Sequence, residues 1–151
     1  DRARARVKAV RHVMSKAGIT SNNLVIIETD YGIKRGAVAF DKIMKYSQPP
    51  AIIICGNDVL AAGALKQAKS LGLSVPSDIS VTGFDDIELA SAITPTLTTV
   101  HVPHREMGTK AGQSLIKIIE GKAKSFNIEL EVSLKIRDSL KPPKNSFYGE
   151  F

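Results

Sequence analysis

At 151 residues, with 43% apolar and 24% charged content, the chain reads as one soluble globular domain, not a disordered one. No apolar run approaches the ~18 residues of a membrane span, and the opening Asp-Arg-Ala-Arg-Ala-Arg lacks the apolar centre of a signal peptide, so a cytoplasmic protein without membrane contact is expected. The single cysteine, Cys55, excludes an intramolecular disulfide, and the net charge of +6 raises the question of nucleic acid.

Residues 3–17 read as a helix, with Ala3, Val7, Val10, Met14 and Ala17 at helical spacing and Gly18 as its stop. Arg2, Arg4, Arg6, Lys8 and Arg11 crowd this helix; Lys135, Arg137, Lys141 and Lys144 crowd the other end of the chain. No aromatic residues interleave with the first cluster, so the charge reads as a solvated helix face plus a basic tail. Asn22-Asn23 turns the chain into a short apolar strand, Leu24–Ile27, followed by the loop Thr29-Asp30-Tyr31-Gly32. The next helix runs from about Ile33 to Tyr46 and buries Ala37, Phe40, Ile43 and Met44.

After Pro49-Pro50 comes the stretch that organises the chain, Ala51-Ile52-Ile53-Ile54-Cys55. An apolar run without a polar break suits a strand covered on both faces, the usual state of a parallel strand. Cys55 reads here as a small buried hydrophobe. Gly56-Asn57-Asp58 ends the strand and opens a helix with apolar periodicity from Val59 to Leu71 and a stop at Gly72. Val75-Pro76-Ser77-Asp78 turns the chain into a third strand, Ile79–Thr82, and the loop Gly83-Phe84-Asp85-Asp86 follows. The strand ends near 28, 55 and 82 are evenly spaced. Three strand–loop–helix units in succession predict a right-handed parallel sheet.

The last third changes rhythm. Leu97–Val100 is a short strand after Pro95. Residues 104–120 form an amphipathic helix with a Met107, Ala111, Leu115, Ile118 stripe and Gly121 as stop. Apolar and polar residues then alternate without a fault over 126–136, the pattern of a half-buried strand. Pro142-Pro143 closes the structured part, and a loose tail is expected beyond it.

Each strand of the three units ends in polar groups: Asp30 with Tyr31, Asn57 with Asp58, and Asp85 with Asp86. In a parallel sheet these loops open on one edge, where ligands bind. Singly, Asp and Asn in such loops are helix caps; convergence of all three on one edge raises ligand binding above capping. Carboxylates and amides there can bond a polyhydroxy ligand, and Tyr31 can stack on a sugar ring. No dinucleotide fingerprint, P-loop or nucleophile elbow is present. His101 and His104 bracket Pro103 with no further ligand to complete a metal set, so they read as surface or packing histidines. Asp85-Asp86 lacks a nucleophile or a third group, so binding is expected and catalysis is not. No cofactor and no metal are expected.

Gly56-Asn57-Asp58 with Ala61-Ala62-Gly63-Ala64-Leu65, then Gly72-Leu73-x-Val75-Pro76-x-Asp78-Ile79-Ser80-Val81-x-Gly83-Phe84-Asp85-Asp86-Ile87, then Pro95-x-Leu97-Thr98-Thr99-Val100, resemble the LacI/GalR family of bacterial transcription regulators. Glu106-Met107-Gly108 and Arg137-Asp138-Ser139 extend the likeness to about residue 139, and Arg6 to Gly18 matches the family's Arg-x-x-Gly helix, with Ala9 in place of the usual Gly. The resemblance implies an α/β three-layer sandwich with a mostly parallel sheet, the periplasmic-binding-protein-like effector domain. In that scheme residues 1–139 are its C-terminal lobe, helix 104–121 crosses to the first lobe, and 140–151 is a tail. The helix-turn-helix that reads operator DNA and most of the first lobe are not in this chain.

The resemblance carries four site residues over. Arg6 matches an effector-binding arginine, Tyr31 an aromatic stacking position, and Asn57 and Asp85 positions that bind sugar hydroxyls. Val102 stands where several members carry a ligand-contacting Gln. The implied function is to bind a small sugar-like effector that modulates operator binding, in a homodimer formed through helix 59–71 and the 87–93 segment. The apolar stripe of helix 104–120, without its first lobe, is expected to find another cover or to be mobile. The alternative of the same fold is a transport or chemotaxis sugar-binding protein; the Val75–Ile87 and Leu97–Val100 segments favour the regulator.

Overall fold

The computed structural model describes residues 2–20 and 23–141. Its centre is a parallel pair of short strands, β1 (Ile52–Ile54) and β2 (Ser80–Thr82), with Ile53 opposite Val81. Helices α2 (Ile33–Met44) and α3 (Asp58–Ser70) pack on each other and on one face of this pair. Phe40, Ile53, Ala61, Ala64, Leu65, Ala68, Ile79, Val81, Ala90 and Leu97 make one buried core between them. Burying this many apolar side chains is the main force holding the body together. The remaining helices are α1 (Arg2–Lys16), the short α4 (Leu89–Ala92), and α5 (His104–Ile119). Among the described residues no helix is long and apolar enough to cross a membrane.

A third position in the sheet is filled by β3 (Thr99–His101), which continues a parallel bridge from Thr82 to Thr98 and pairs antiparallel with β4 (Ser133–Lys135). The 137–141 segment then returns to the free edge of β2. Val81 N–H donates to Ser139 O at 3.0 Å, and Ser139 Oγ donates to Val81 O at 2.6 Å while accepting Thr98 N–H at 2.8 Å. Ser139 is fully buried in this seam. The α/β architecture and the mostly parallel sheet expected from the sequence are the ones found.

Several boundaries differ. Leu24–Ile27 joins no ladder among the described residues; an apolar run supplies strand propensity, but a strand also needs a neighbouring edge to bond. β1 is not apolar-covered on both faces, since Ile52 is 41% and Ile54 56% exposed while Ile53 is buried. Helix α2 ends two residues before Tyr46; of the four residues expected inside it, Phe40 is buried and Ala37, Ile43 and Met44 are half-buried. The alternating segment 126–136 is a strand only at Ser133–Lys135, where β3 lies alongside. Phe126, Ile128 and Leu130 instead line a shallow groove with Met107, Lys110, Ala111 and Ser114 of α5. The rest of the α5 stripe, Leu115 and Ile118, is exposed. Leu140 and Lys141, assigned to the tail, still belong to the body, because Lys141 N–H donates to Ser80 Oγ at 3.1 Å. The tail beyond them lies outside the described residues.

Apolar residues on more than one side of α3 suggested a pairing surface. Most of them are consumed inside the chain: Leu60, Ala61, Ala62, Ala64, Leu65 and Ala68 are all buried, with α2, α4 and β2 as the elements in contact. Of the apolar residues that give the helix more than one apolar face, Val59, Leu60, Leu65, Ala68 and Leu71, Leu71 alone is exposed.

Two glycines set how closely α2 and α3 approach. A Cβ on Gly63 would lie 2.0 Å from Ile33 O, and a Cβ on Gly36 would lie 2.1 Å from Leu60 O. Backbone meets backbone here, so no side chain can rotate away. Gly63→Ala should therefore destabilise the chain by ~1–3 kcal/mol or more, the range for overpacking. Gly108→Ala, in an exposed turn of α5 with nothing within 4 Å, should lose no stability. Urea denaturation of the two variants beside the parent checks the contrast; equal midpoints would refute it.

Candidate functional site

The strand ends after β1 and β2 bring together three of the four expected residues. Arg6 reaches across from α1. Its Nη1 donates to Gly56 O at 2.7 Å, and its guanidinium carbon lies 3.7 Å from the centroid of the Phe84 ring. One side chain thus bridges the loop after β1 and the loop after β2, combining a charge-assisted bond with a cation–π contact. The remaining guanidinium N–H groups form a fork suited to hydroxyl or carboxylate oxygens.

Asn57 sits beside Gly56 and caps α3, its side-chain oxygen accepting Leu60 N–H at 2.9 Å. Capping engages the oxygen and leaves the amide N–H groups as the part of this residue that can serve a ligand. The capping and ligand readings of Asn57 are therefore compatible. Asp85 follows Phe84. Its backbone N–H donates to Val100 O at 2.9 Å, and its carboxylate is 31% exposed, with His104 Nε2 4.0 Å away. Tyr31 is 67% exposed in the loop before α2, apart from the Arg6 bridge that joins the other two loops. Val102, where a Gln was the family expectation, is half-buried between β3 and α5.

Sequence reasoning weighed Asp58 as a cap or ligand group and gave it no further role. It is 1% exposed. Its Oδ2 accepts Ile87 N–H at 2.9 Å, its Oδ1 accepts Thr99 Oγ1–H at 2.5 Å, and its own N–H donates to Phe84 O at 2.9 Å. Gly83 makes room for it, since a Cβ there would stand 2.1 Å from Asp58 Oδ1. Burial raises the Asp58 pKa, with the Asp85 charge adding to it, against the lowering effect of the bonds from Thr99, Ile87 and Phe84. Burial and then Asp58 also push the Cys55 thiol up to about 12, in keeping with an inert packing residue.

Asp86 has a different environment. Arg137 Nη2 donates to its Oδ1 at 2.6 Å and His101 Nδ1–H to its Oδ2 at 2.9 Å. Arg137, counted from sequence with the solvated basic tail, is drawn inward, with Nη1 also donating to Leu97 O at 2.8 Å. Burial alone would raise the Asp86 pKa, but the bonds and charges of Arg137 and His101 outweigh it and hold the carboxyl below the usual range. A carboxylate tied at both oxygens is neither a free acid or base nor a free ligand group, which leaves Asp85 as the open member of the pair.

Asp58 and Asp86 make opposite contributions to acid stability. Asp58, raised in the fold, favours the folded state below the ordinary aspartate pKa and loses that contribution as pH rises through its folded value. Asp86, lowered, favours the folded state above the ordinary value and loses that contribution as pH falls through its folded value. Asp86→Asn should therefore flatten the loss of stability seen on acidification below about pH 4. Urea midpoints collected from about pH 3 to pH 7 test this; an unchanged acid limb in the variant would contradict it.

Comparison with known proteins places this edge in context. Residues 1–140 match the model of the periplasmic binding protein-like domain. The chain is 36% identical over 137 residues to the HTH-type transcriptional repressor PurR of Vibrio vulnificus, covering 90% of this chain and 41% of that protein. Transcription regulator GntR of Chromobacterium violaceum superposes with a TM-score of 0.85 at 29% identity, over 92% of this chain and 52% of that one. A LacI family transcriptional regulator from Enterococcus faecium, solved with bound ribose, superposes with a TM-score of 0.86 at 25% identity, over 94% of this chain and 53% of that one. The chain spans about two-fifths of the length of the curated relatives it matches.

Proposed function

Because the chain belongs to the periplasmic binding protein-like domain family, we propose that it is the ligand-sensing part of a LacI-family transcription regulator, binding a small sugar or sugar derivative that modulates operator binding. The observation that carries this reading is the meeting of Arg6, Asn57 and Asp85 at one sheet edge, with Arg6 tied to both loops. A guanidinium fork, amide donors and a carboxylate bind the adjacent hydroxyls of a sugar through charge-assisted bonds. Tyr31, exposed before α2, supplies a ring that packs on the ligand after it enters. The named repressor and regulator relatives and the ribose-bound neighbour support the class.

In this reading the protein is a regulator and not an enzyme, and it works in the cytoplasm. Operator DNA is contacted through a helix-turn-helix outside these residues. Ligand binding closes a two-lobed cleft of which this chain is one side. The effector shifts lobe orientation only by as much as it prefers the closed state, and that preference is what reaches the operator. The regulator is a homodimer. Since most of α3 is covered internally, the 87–93 segment with its exposed Ile87 is the stronger part of the pairing surface. Light scattering of the regulator at high micromolar concentration should give the dimer mass; a monomer would count against the pairing.

Asp85→Ala tests the ligand site. A carboxylate bridging two hydroxyls makes two charge-assisted bonds of roughly 1.5–3 kcal/mol each. Their loss should weaken effector binding by about two to four orders of magnitude. Calorimetry with a sugar panel beginning with ribose, followed by operator gel shifts with and without the sugar that binds, measures both halves. If the variant still binds and responds like the parent, Asp85 is no ligand residue.

A further inference from the structure

Every residue of the 84–87 loop is fixed by a bond to the body, the first and last of them to Asp58. Phe84 O accepts from Asp58 N–H, Asp85 N–H donates to Val100 O, the Asp86 carboxylate is held by Arg137 and His101, and Ile87 N–H donates to Asp58. Within this frame Asp85 has φ 108 and Asp86 φ 54. Positive φ is costly for a residue with a Cβ, and it persists only where the surroundings over-determine it. Asp86 tolerates the left-handed region as aspartates do, whereas Asp85 lies further out. The conformation at Asp85 therefore depends on the anchors on either side of it.

Asp86 is the anchor that has no other evident task. Its side chain is 12% exposed and both its oxygens are already engaged, one by Arg137 and one by His101. Its partners come from the two strands that follow the core: His101 ends β3, and Arg137 lies just past β4. Arg137 is itself pinned, its N–H donating to Thr98 Oγ1 at 2.8 Å and its Nη1 to Leu97 O. A planar fork that holds Leu97 O with one arm and Asp86 with the other cannot be copied by a lysine.

We propose that Asp86 is a positioning residue for the effector site, clamped by Arg137 and His101 so that the neighbouring Asp85 keeps the strained backbone that presents its carboxylate at the ligand edge. The assignment rests on the reading of Asp85 as a ligand carboxylate. Asp86 acts through Asp85 and makes no contact with the effector. Its removal therefore lowers affinity only when Asp85 is there to be misplaced.

The test uses the intact regulator that carries this chain, with Asp86→Asn and Arg137→Lys, so that one variant suffices if the other does not fold. Hydrogen exchange followed by mass spectrometry on peptides covering 84–88 reads the loop without any ligand. Ribose titrations by calorimetry read the site, in the parent and in the Asp85→Ala background. Exchange in 84–88 should quicken by about tenfold or more in either variant, with the peptide over β2 unchanged. Ribose affinity should fall about tenfold or more in Asp86→Asn, and no further fall should occur when Asp85→Ala is already present. Unchanged exchange in both variants overturns the clamp. Faster exchange with undiminished ribose affinity also overturns it, provided Asp85→Ala alone weakens binding. Where the parent does not bind ribose, the sugar of the panel that it does bind takes its place; if none of the panel binds, or Asp85→Ala does not affect the binding, the ligand reading fails and this assignment falls with it.

Discussion

Asp58 Oδ1 accepts from Thr99 and Oδ2 from the N–H of Ile87, inside a body from which water is excluded. A single carboxylate at the first turn of α3 therefore fastens the loop after β2 and the start of β3 to the loop after β1. Charge in such a place is unfavourable unless hydrogen bonds surround it. The fold supplies them from two elements and removes the one obstacle, a side chain at position 83. If this junction were loose, the two strand ends that carry Asn57 and Asp85 would have no fixed separation. In the proposed site, ligand recognition depends on that separation more than on any single contact.

Three aspartates within this small region have three fates. Asp58 is buried and accepts from neutral donors; Asp86 is half-buried and tied to a guanidinium and an imidazole; Asp85 remains partly open. The open one is the carboxylate with capacity left for a ligand. The two closed ones are structural on opposite sides of it, and neither would be told from it by residue type. Helix packing follows the same logic of close fixing. Gly36 and Gly63 let two backbones touch, which sets α2, and the loop with Tyr31 that leads into it, against the helix that starts at Asn57.

Much of this was legible in the chain itself. The apolar run at 51–55 and the even spacing to Thr82 marked the parallel pair, and the motifs of residues 51–100 marked the family. Periodicity fails where partners decide the outcome. Alternation over 126–136 predicts a face but cannot say that only Ser133–Lys135 has a strand beside it. Leu24–Ile27 has the composition of a strand, yet composition supplies no hydrogen-bonding edge. Arg137 looked like one more charge in a basic tail because its partners lie 40 and 51 residues back along the chain. Asp58 differs from an ordinary cap only through Thr99 and Gly83, which are distant in sequence and adjacent in space.

The seam made by Ser139 bears on how the chain is assembled during synthesis. Val81 and Ser139 are 58 residues apart, and Ser80 and Lys141 are 61 apart. When a ribosome has just released β2, that strand has β1 on one side and nothing yet made for the other. The helices can collapse on β1 and β2 at this stage, because α2 and α3 are already outside the tunnel. Thr98 can bridge to Thr82 once β3 emerges, but the edge at Ser80 and Val81 must wait for Ser139 and Lys141. Bringing such distant segments together carries a loop-closure entropy that local helix contacts do not. The sheet is thus begun early and sealed late, and until it is sealed the nascent chain exposes a strand edge of the kind that chaperones protect.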